Sequence, residues 1–494
     1  RAADANKRTV EYDVTLCPPI QFLQLSCRHI PEKRHKPRQQ PGYIRLGYGN
    51  YGNLDTRASY LFTLSNSDCI NLNFHMNGMD GKLELPDNDG KWNSYYYRTH
   101  ANIGYLHRFK KVDLDVAGNF GLGNFNFLPD AAVRKQKFTS GDIHFGVKST
   151  DEELPLQFSA ETNLMLYERQ YDFGSLNNQE NIIRTKALVA GGISEEQIVG
   201  IGLAMDNVLY KNNNFENYTS LNLNPHYRLE NDDWKIRIGA QVDMAFGFGK
   251  KFRAAPDVAV EYNFADSYIL YAQAKGGRVQ NDFRRLEHSA YGLVTSQPDA
   301  TYEQVNAALG FKASPATGLW LNLYAGYQNL KDDLFFHPAG FDETTEGHYR
   351  TLAISQWNTS NIYAGAEVRY DYKNIFSFVA AGTYRSWDAK DDSQFDVKDY
   401  VLTYKPAFEA SLHIDVHPIS ALLLNLGYRH ISRKKVEESK VNAVNNLYLG
   451  GSYEFFKGIS VYARISNLLN RNYQYYWGYP TEGTNFIGGV SLRF

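Results

Sequence analysis

The feature that most constrains this chain is an alternation of apolar and polar residues over long runs. Between Trp234 and Phe246 every second residue is apolar, and the residues between them include Arg237 and Asp243. A period of two predicts a β-strand with one oily face and one polar face. The same pattern recurs at 362–372, 409–416 and 422–429.

These alternating runs are longer than the strands of ordinary globular proteins, which average about 5–6 residues. Many of them reach roughly 10–13 residues, and about 9–11 are enough for a tilted strand to cross a bilayer. The oily face often ends in an aromatic residue such as Trp234, Phe246 or Tyr428, as in the aromatic girdles of outer-membrane barrels. The mean hydropathy of −0.47 agrees with this, because half of each strand would face water.

The connections between the predicted strands alternate between short and long. The turn at 66–67 is short, whereas the segment 277–301 is long and polar. This alternation is typical of a transmembrane β-barrel with short turns at one side and long loops at the other. We therefore predict an all-β fold, a transmembrane antiparallel β-barrel of about 22 strands over 41–494. One further apolar stretch, 349–357, is placed in an extracellular hairpin or loop.

Composition and charge exclude several classes of protein. The 52 Lys and Arg residues nearly balance the 54 Asp and Glu residues, giving a net charge of −2, whereas nucleic-acid-binding chains usually carry a basic excess. The sequence contains no apolar run of about 18 residues that could form a transmembrane helix. A soluble β-propeller would have short strands and repeats of about 40–50 residues, and the sequence has neither.

The three cysteines, Cys17, Cys27 and Cys69, are too few for a disulfide framework. Cys17 and Cys27 could pair in an oxidising compartment, or they could stay free thiols. The chain starts at Arg1 without a charged-then-apolar leader, so we expect a mature or truncated product.

Residues 1–40 differ in character from the rest of the chain. They contain four prolines and a basic stretch from Arg28 to Arg38. We expect an extended, Pro-containing basic tail here, leading into the barrel at 41–494. Three roles stay open for it: a solvated linker, a segment folded into the lumen with its cations facing acidic wall residues, or a docking segment for a partner.

Charged side chains on the polar faces of neighbouring strands are the candidate lining of the lumen. By parity this set comprises Arg237, Asp243, Glu261, Glu367, Arg369, Asp371, His413, Asp415, Arg429 and Arg464. Such a lining could bind a solute, a plug or the tail. Alternatively, the paired charges simply hydrate and brace a wide barrel wall.

The sequence contains no pattern that indicates catalysis, a metal site or a cofactor. His413 and His417 are four residues apart on a predicted strand, about 13 Å at the usual rise, which is too far to share one metal ion. The sequence has no serine in a G-x-S-x-G context, and the glycines at 121–123 lack the strand-to-helix context of a dinucleotide site. We therefore predict no enzyme, no catalytic residues, no metal ligands and no cofactor.

The C-terminal segment carries the most specific motifs. The run Asn467–Asn470 (NLLN), followed by Tyr473, resembles the Asn-Leu-Phe…Tyr motif in the penultimate strand of TonB-dependent outer-membrane receptors. Tyr479-Pro480 with Gly483 resembles the Tyr-Pro-x-x-Gly that precedes the last strand of the same family.

A second likeness lies at the start of the predicted barrel. The segments 41–43 (PGY) and 46–51 (LGYGNY) resemble the barrel entry of the TonB-receptor-like proteins of Bacteroidetes. The resemblance covers about residues 41–494 and is strongest at the two ends. It implies a barrel of 22 strands, in agreement with the count from alternation.

The chain ends on an alternating strand, 485–494, whose apolar residues share one face. In the family that it resembles, a terminal strand of this kind is the signal read by the barrel-assembly machinery. The matching residues here are Phe486, Val490, Leu492 and Phe494.

The resemblance implies solute uptake and transport across the cell outer membrane of a Gram-negative bacterium. The implied partners are outer-membrane lipid, the barrel-assembly machinery, and TonB or an accessory surface protein, with no nucleic acid. Family transporters carry a plug domain and a TonB box, but only about 40 residues precede the first predicted strand, and none resembles a plug. We expect the plug to be absent from this chain or supplied elsewhere. The alternative is a plug-less, non-transporting structural or accessory barrel, its lumen filled by tail and loops.

Overall fold

The computed structural model describes most of the chain from residue 41 onward. The described ranges are 41–86, 90–129, 134–171, 179–211, 214–287, 292–293, 296–338, 352–390, 402, 405–434, 442–476 and 478–494. The predicted N-terminal tail at 1–40 lies outside them. Within these ranges, no helix is both long and apolar enough to span a membrane.

Long antiparallel strands form a single closed barrel of 22 strands, which confirms the predicted fold and strand count. Each barrel strand pairs with its neighbours in sequence. The first strand pairs with the last, with Tyr43 opposite Arg493, so that the sheet has no free edge.

The bounds of the barrel strands are as follows. The first eleven are β1 (Gly42–Gly49), β2 (Leu54–Thr63), β3 (Asp68–Glu84), β4 (Lys91–Arg108), β5 (Val112–Asn126), β6 (Lys135–Ser149), β7 (Leu156–Arg169), β8 (Gln179–Gly192), β9 (Gln197–Lys211), β10 (Tyr218–Glu230) and β11 (Trp234–Phe246). The others are β12 (Phe252–Phe264), β13 (Tyr268–Val279), β14 (Thr301–Ala316), β15 (Leu319–Pro338), β16 (Leu352–Tyr372), β17 (Phe376–Lys390), β18 (Pro406–Ile419), β19 (Leu422–Arg433), β20 (Val444–Phe456), β21 (Ile459–Ser466) and β22 (Asn485–Arg493).

The described connections contain a few short elements. They are a 3-10 turn (Asn50–Gly52), a helix α1 (Phe283–Glu287), and short strands at Gly292–Leu293, Gln474–Tyr476 and Tyr479–Pro480.

The alternation places apolar side chains on the outside of the barrel. Ile238 on β11 is 55% exposed and Ile362 on β16 is 66% exposed. Large apolar side chains with this exposure, repeated around a closed wall, form a band that only a hydrocarbon surrounding would cover. The charged residues between them lie on the inner face.

Short connections gather at one end of the barrel, the turn end, and longer ones at the other, the loop end. At the turn end Gly318 has φ +80°, and a Cβ there would lie 2.1 Å from the Asp371 backbone oxygen, so only glycine fits this tight turn. Aromatic rings of adjacent strands pack together nearby, with centroids of Trp234 and Tyr262 4.6 Å apart. This is the predicted girdle.

The strands reach further at the loop end than the alternation predicts. β15 and β16 stay paired as far as Pro338 opposite Leu352, so their hairpin includes part of 349–357, which the sequence placed in an extracellular hairpin or loop. The described part of the apolar stretch 349–357 is therefore one arm of this hairpin. Above a bilayer a strand needs no oily face, so it loses the alternation while it keeps its ladder hydrogen bonds.

Cys69, at the turn end of β3, is 3% exposed and disulfide-bonded. The chain has only three cysteines, and Cys17 and Cys27 lie outside the described residues. The alternatives predicted for Cys17 and Cys27, a disulfide between them or free thiols, therefore stay predictions.

Candidate functional site

A cluster of mostly aromatic side chains packs inside the barrel at the loop end. Its buried members are Met79, Leu83, Leu85, Trp92, Phe125, Phe127, Leu128, Phe138, Tyr167, Phe283, Leu286 and Tyr479. They come from the loop ends of neighbouring strands, from α1 and from the segment before β22. This part of the loop end is therefore a packed apolar core, unlike the polar inner face further down the wall.

Helix α1 is held in this cluster by Phe283, which is 2% exposed. The centroid of its ring lies 5.6 Å from that of Tyr210 and 6.0 Å from that of Tyr167. The guanidinium carbon of Arg169 lies 4.2 Å from the same centroid, within the range of a cation–π contact. The connection between β13 and β14 thus folds into the barrel.

Charge-assisted hydrogen bonds fix the same helix to the wall. Arg284 donates from Nη1 to Asp142 Oδ2 at 2.7 Å and from Nη2 to Asp142 Oδ1 at 2.5 Å. Such bidentate pairs are among the stronger hydrogen bonds in proteins. The backbone N–H of Phe283 donates to Glu180 Oε1 at 2.9 Å. These bonds and the ring contacts together make α1 a fixed part of the lumen lining.

Beside the cluster lies a cavity of about 330 Å³, the tyrosine cavity. Six tyrosines line it: Tyr96, Tyr97, Tyr473, Tyr475, Tyr476 and Tyr479. Five asparagines join them: Asn77, Asn124, Asn446, Asn467 and Asn485. Concave small-molecule sites characteristically combine aromatic surface with a few polar groups. This lining can stack against rings and hydrogen-bond to hydroxyl, carbonyl or amide groups.

The described lining of the tyrosine cavity carries little charge. Its charged members are Arg98 and Glu482. Glu482 accepts a hydrogen bond from Asn53 Nδ2 at 2.9 Å. Burial raises the pKa of Glu482 to about 7, so near neutral pH a large fraction of this carboxyl is protonated. The cavity therefore suits a solute with few charges or one negative group.

Asn467 positions the segment 467–484 that supplies four of these tyrosines. It is 1% exposed and has φ +49°, a left-handed conformation that asparagine tolerates better than most residues. Its side-chain NH₂ donates to the backbone oxygens of Arg471 and Glu482, both at 3.0 Å. Its Oδ1 accepts the Arg471 N–H at 3.0 Å. One side chain thus ties together the two ends of the segment.

Asn470 adds a second tie in the same motif. Its Oδ1 accepts the backbone N–H of Thr484 at 3.0 Å, and a Cβ on Gly483 would lie 2.7 Å from that oxygen. The C-terminal motif residues therefore form the frame of the tyrosine cavity.

The ten charged residues predicted to line the lumen lie in separate groups along the wall. In the first, Arg237 Nη2 lies 2.8 Å from Asp257 Oδ2 and donates to Asn224 Oδ1 at 2.9 Å. Asp243 is 4% exposed and accepts the hydroxyl of Tyr302 at 2.9 Å.

A second group lies on β12 to β16. Glu261 Oε1 is 3.7 Å from Lys312 Nζ. Glu367 has Arg369 and Lys312 as its charged neighbours. Arg369 Nε donates to Asp371 Oδ2 at 2.8 Å.

A third group lies on β18 to β21. His413 Nε2 is 2.9 Å from Asp415 Oδ1, and its Nδ1 lies 3.0 Å from the Tyr448 hydroxyl. The guanidinium of Arg464 stacks 4.7 Å from the centre of the same tyrosine ring. Arg429 lies on β19, between β18 and β20.

Most of these charges are paired, as expected for a braced wall: Arg237–Asp257 joins neighbouring strands, Glu261–Lys312 joins β12 to β14, and the other two pairs lie within single strands. None of the ten residues, all of which are described, lines the tyrosine cavity. That they form a solute-binding lining stays a prediction. No three or more His, Cys, Asp or Glu side chains come together in a metal-binding arrangement within the described ranges.

Sequence reasoning missed the tyrosine cavity because its residues lie at strand ends and in a segment treated as a loop. A signal was present in the parity of β4. Trp92, Ser94, Tyr96 and Arg98 continue the inner face, and two of the four are aromatic where a water-facing wall would be polar. An aromatic inner face at the end of a strand can indicate a binding site, or side chains that fill the lumen at that end of the barrel.

The predicted assembly residues share the outer face of β22. Phe486, Val490, Leu492 and Phe494 are 54%, 50%, 39% and 48% exposed. The backbone N–H of Gly42 donates to the Phe494 oxygen at 2.8 Å, so the terminal residue takes part in barrel closure. Recognition by the assembly machinery stays a prediction.

The fold is a closed 22-stranded antiparallel β-barrel that matches the outer-membrane barrels of TonB-dependent receptors. Three solved structures with this fold are the siderophore receptor PirA from Acinetobacter baumannii, the copper transporter OprC and the FrpB iron transporter from Neisseria meningitidis. PirA has a TM-score of 0.71 at 11% identity over 92% of this chain and 80% of its own. OprC gives 0.68 at 11% over 92% and 80%, and FrpB gives 0.67 at 10% over 92% and 81%.

No protein-family model matches the chain, and no curated protein sequence matches it. The structural likeness is under 12% identical in these three cases, so it concerns the fold.

Proposed function

We propose that this chain is the barrel of a TonB-dependent type receptor that binds a solute in the tyrosine cavity and serves its uptake across the outer membrane. The observation that carries the proposal is a 330 Å³ cavity lined by six tyrosines at the loop end of a closed barrel. In such barrels the long loops face the outside of the cell, so the cavity opens towards arriving solute.

The structural neighbours support transport as the role. Their names describe a copper transporter, an iron transporter and a siderophore receptor. Binding and passage of a solute need no catalytic group, and we propose no enzymatic activity.

The proposed location is the outer membrane of a Gram-negative bacterium, with the apolar outer band in contact with lipid. The proposed partners are the barrel-assembly machinery, and TonB or an accessory surface protein. We propose that this bacterium belongs to the Bacteroidetes, because segments 41–43 and 46–51 resemble the barrel entry of proteins from that group.

The competing function is a non-transporting structural or accessory barrel, its lumen filled by tail and loops. One observation favours it: α1 and the aromatic cluster already occupy part of the lumen at the loop end.

Conductance of the purified chain in a planar bilayer separates the two functions. The transport proposal predicts large, stable current steps, because a solute must be able to pass through the lumen of the barrel. A barrel that is folded, as judged by its heat-dependent gel mobility, but electrically silent would favour the filled, structural barrel. Heat-denatured protein is the control for leakage.

A further inference from the structure

A cleft opens in the barrel wall at the loop end, between β12 and β14. The ladder between β12 and β13 starts only at Asp257 opposite Lys275, so the first residues of β12 have no ladder partner on that side. A Cβ placed on Gly276 would lie 2.8 Å from Ala255 Cβ and 2.4 Å from the Glu303 backbone oxygen. Gly276 on β13 is therefore close to both β12 and β14 at this level. The space above it is about 450 Å³ and is called the rim cleft.

Three cations line the rim cleft: Lys250, Arg253 and Lys331. The only carboxylate among its lining residues, all described, is Asp332, which lies 2.5 Å from Arg253 Nη2. Lys250 and Lys331 form no ion pair within the described part of the chain. The cleft lining thus carries more positive than negative charge.

The guanidinium of Arg253 has one nitrogen, Nη2, paired with Asp332 and another, Nη1, that forms no hydrogen bond within the described residues. Its side chain is 17% exposed, and its Nη1 is buried without a hydrogen-bond partner in the described residues. A buried donor with no partner carries a desolvation cost that a bound acceptor would remove. Its ring contact with Tyr302, at 5.1 Å, holds the guanidinium in place.

The neighbouring, deeper space adds Arg278, Asp243 and Asp299. Asp243 is already bonded by the Tyr302 hydroxyl at 2.9 Å, and by an amide of Asn222 at 2.9 Å. Arg278 has a buried Nε without a hydrogen-bond partner in the described chain. Together, the two spaces are lined by four cations, Lys250, Arg253, Arg278 and Lys331, and by three carboxylates, Asp243, Asp299 and Asp332. One of these carboxylates, Asp243, already accepts hydrogen bonds from neutral side chains.

The outer side of the rim cleft is apolar. Phe252, which lines it, is 64% exposed, and Phe246 on the adjacent strand is 56% exposed at the same level. These rings lie at the loop-end border of the apolar outer face, and aromatic rings at such a border of an outer-membrane barrel lie where lipid head groups meet hydrocarbon. An anionic lipid has a negatively charged head group next to apolar acyl chains, and cations next to an apolar wall can bind both parts of such a lipid.

We propose that the rim cleft binds a phosphomonoester group. Guanidinium and ammonium groups together satisfy a compact dianion, and the two lysines with the open Arg253 donor supply both kinds of group. The phosphate could belong to a lipid of the surrounding leaflet or be free in solution. The site is separate from the tyrosine cavity, and the two cavities share no lining residue.

The test compares wild type with Lys250→Gln/Lys331→Gln, which removes two charges without breaking the Arg253–Asp332 pair. The matched control is Lys373→Gln/Lys457→Gln, which removes two exposed lysines at the turn end. Native mass spectrometry in detergent measures retention of dioleoyl phosphatidic acid against dioleoyl phosphatidylcholine, and of inorganic phosphate in a separate titration. Heat-dependent gel mobility checks that each variant is folded.

We expect wild type to retain phosphatidic acid in preference to phosphatidylcholine, with at least a tenfold loss in Lys250→Gln/Lys331→Gln and no loss in the control. Retention of inorganic phosphate with the same variant dependence identifies free phosphate as a ligand. Retention of phosphatidic acid alone identifies the lipid head group. Equal loss in both double variants, or no preference over phosphatidylcholine, would overturn the proposal.

Discussion

The side-chain oxygen of Asn50 accepts the backbone N–H of Phe486 at 2.8 Å, across 436 residues of sequence. The Asn50 side-chain NH₂ donates to the Thr484 oxygen at 3.1 Å. One amide therefore joins the exit of β1 to the entry of β22, where the barrel closes. It also joins the motif at the barrel entry to the motif before the last strand. The same seam borders the tyrosine cavity through Asn485.

Replacing Asn50 should loosen this seam. Asn50→Ala removes both hydrogen bonds, and a typical bond of this kind contributes about 0.5–1.5 kcal/mol to stability. We expect faster hydrogen exchange at 484–486 and a lower temperature for the heat-induced mobility change. Asn50→Asp keeps the acceptor and should show the smaller effect at Phe486. Identical exchange in all three proteins would mean that the backbone alone holds the seam.

Arginine placed on the outer face should prevent stable insertion. Ile238 and Leu424 are 55% and 43% exposed on that face, and a charge at the bilayer midplane costs about 2–4 kcal/mol. We expect Ile238→Arg and Leu424→Arg to lower the folded fraction in lipid vesicles. Asn425→Arg, on the inner face next to Leu424, is the matched control and should fold normally. Equal behaviour of Leu424→Arg and Asn425→Arg would contradict the assigned faces.

Breaking the Arg284–Asp142 pair should release α1 from the lumen wall. Arg284→Met removes three charge-assisted hydrogen bonds, two to Asp142 and one to the Leu166 backbone oxygen, each of which contributes about 1.5–3 kcal/mol. We expect faster hydrogen exchange and proteolysis in 277–301, with the barrel strands unchanged.

A double-mutant cycle with Asp142→Leu gives the control for this prediction. If the two side chains act through each other, the double variant should be no more mobile than Arg284→Met, with a coupling of at least about 1 kcal/mol. Additive effects would show that the ring contacts of Phe283 hold the helix instead.

Stability of the loop end should fall as the pH rises towards neutrality. The pKa of Glu482 is raised to about 7 by burial, against about 4.3 in an unfolded chain. Because the folded state holds this proton more tightly, folding loses stability from about pH 4.3 up to about pH 7 and then no further.

The Glu482→Gln variant should be free of this loss. We expect its thermal midpoint, followed by intrinsic fluorescence, to rise relative to wild type between about pH 4.3 and 7. Glu454→Gln, at an exposed position of the turn end, should track wild type. If the difference in thermal midpoint between wild type and Glu482→Gln does not change with pH, the fold does not hold Glu482 protonated.

The sequence was sufficient to predict the barrel, but it did not predict the packing of side chains at the loop end. A period of two is a local signal, so strands such as β11 and their inner and outer faces follow directly from residues like Ile238 and Arg237. The tyrosine cavity joins Tyr97 on β4 to Tyr476 near the C-terminus, and only closure of the barrel brings them together. The inward position of α1 depends on the contact between Arg284 and Asp142 on β6. These residues are far apart in the sequence, so no local pattern predicts that they pair.

The charged residues of the inner face illustrate the same limit. Parity placed Arg237 and Asp243 on the inner face, as the structure has them. Parity does not say which charges are already paired, and Arg237 is bonded to Asp257 at 2.8 Å. A group with a good partner is less available to a solute, so inner-face charge alone is a weak indicator of a binding site.

Binding of a solute in the tyrosine cavity is the central claim, and one measurement tests it whatever the solute is. The purified chain is incubated with an extract of culture medium, washed, and the released small molecules are identified by mass spectrometry. Wild type is compared with Tyr97→Ala/Tyr476→Ala and with Tyr453→Ala, which removes an outer-face tyrosine that is 44% exposed. We predict at least one compound that wild type and Tyr453→Ala retain and the cavity variant loses by tenfold or more. No retained compound, or equal retention by all three proteins, would contradict the account.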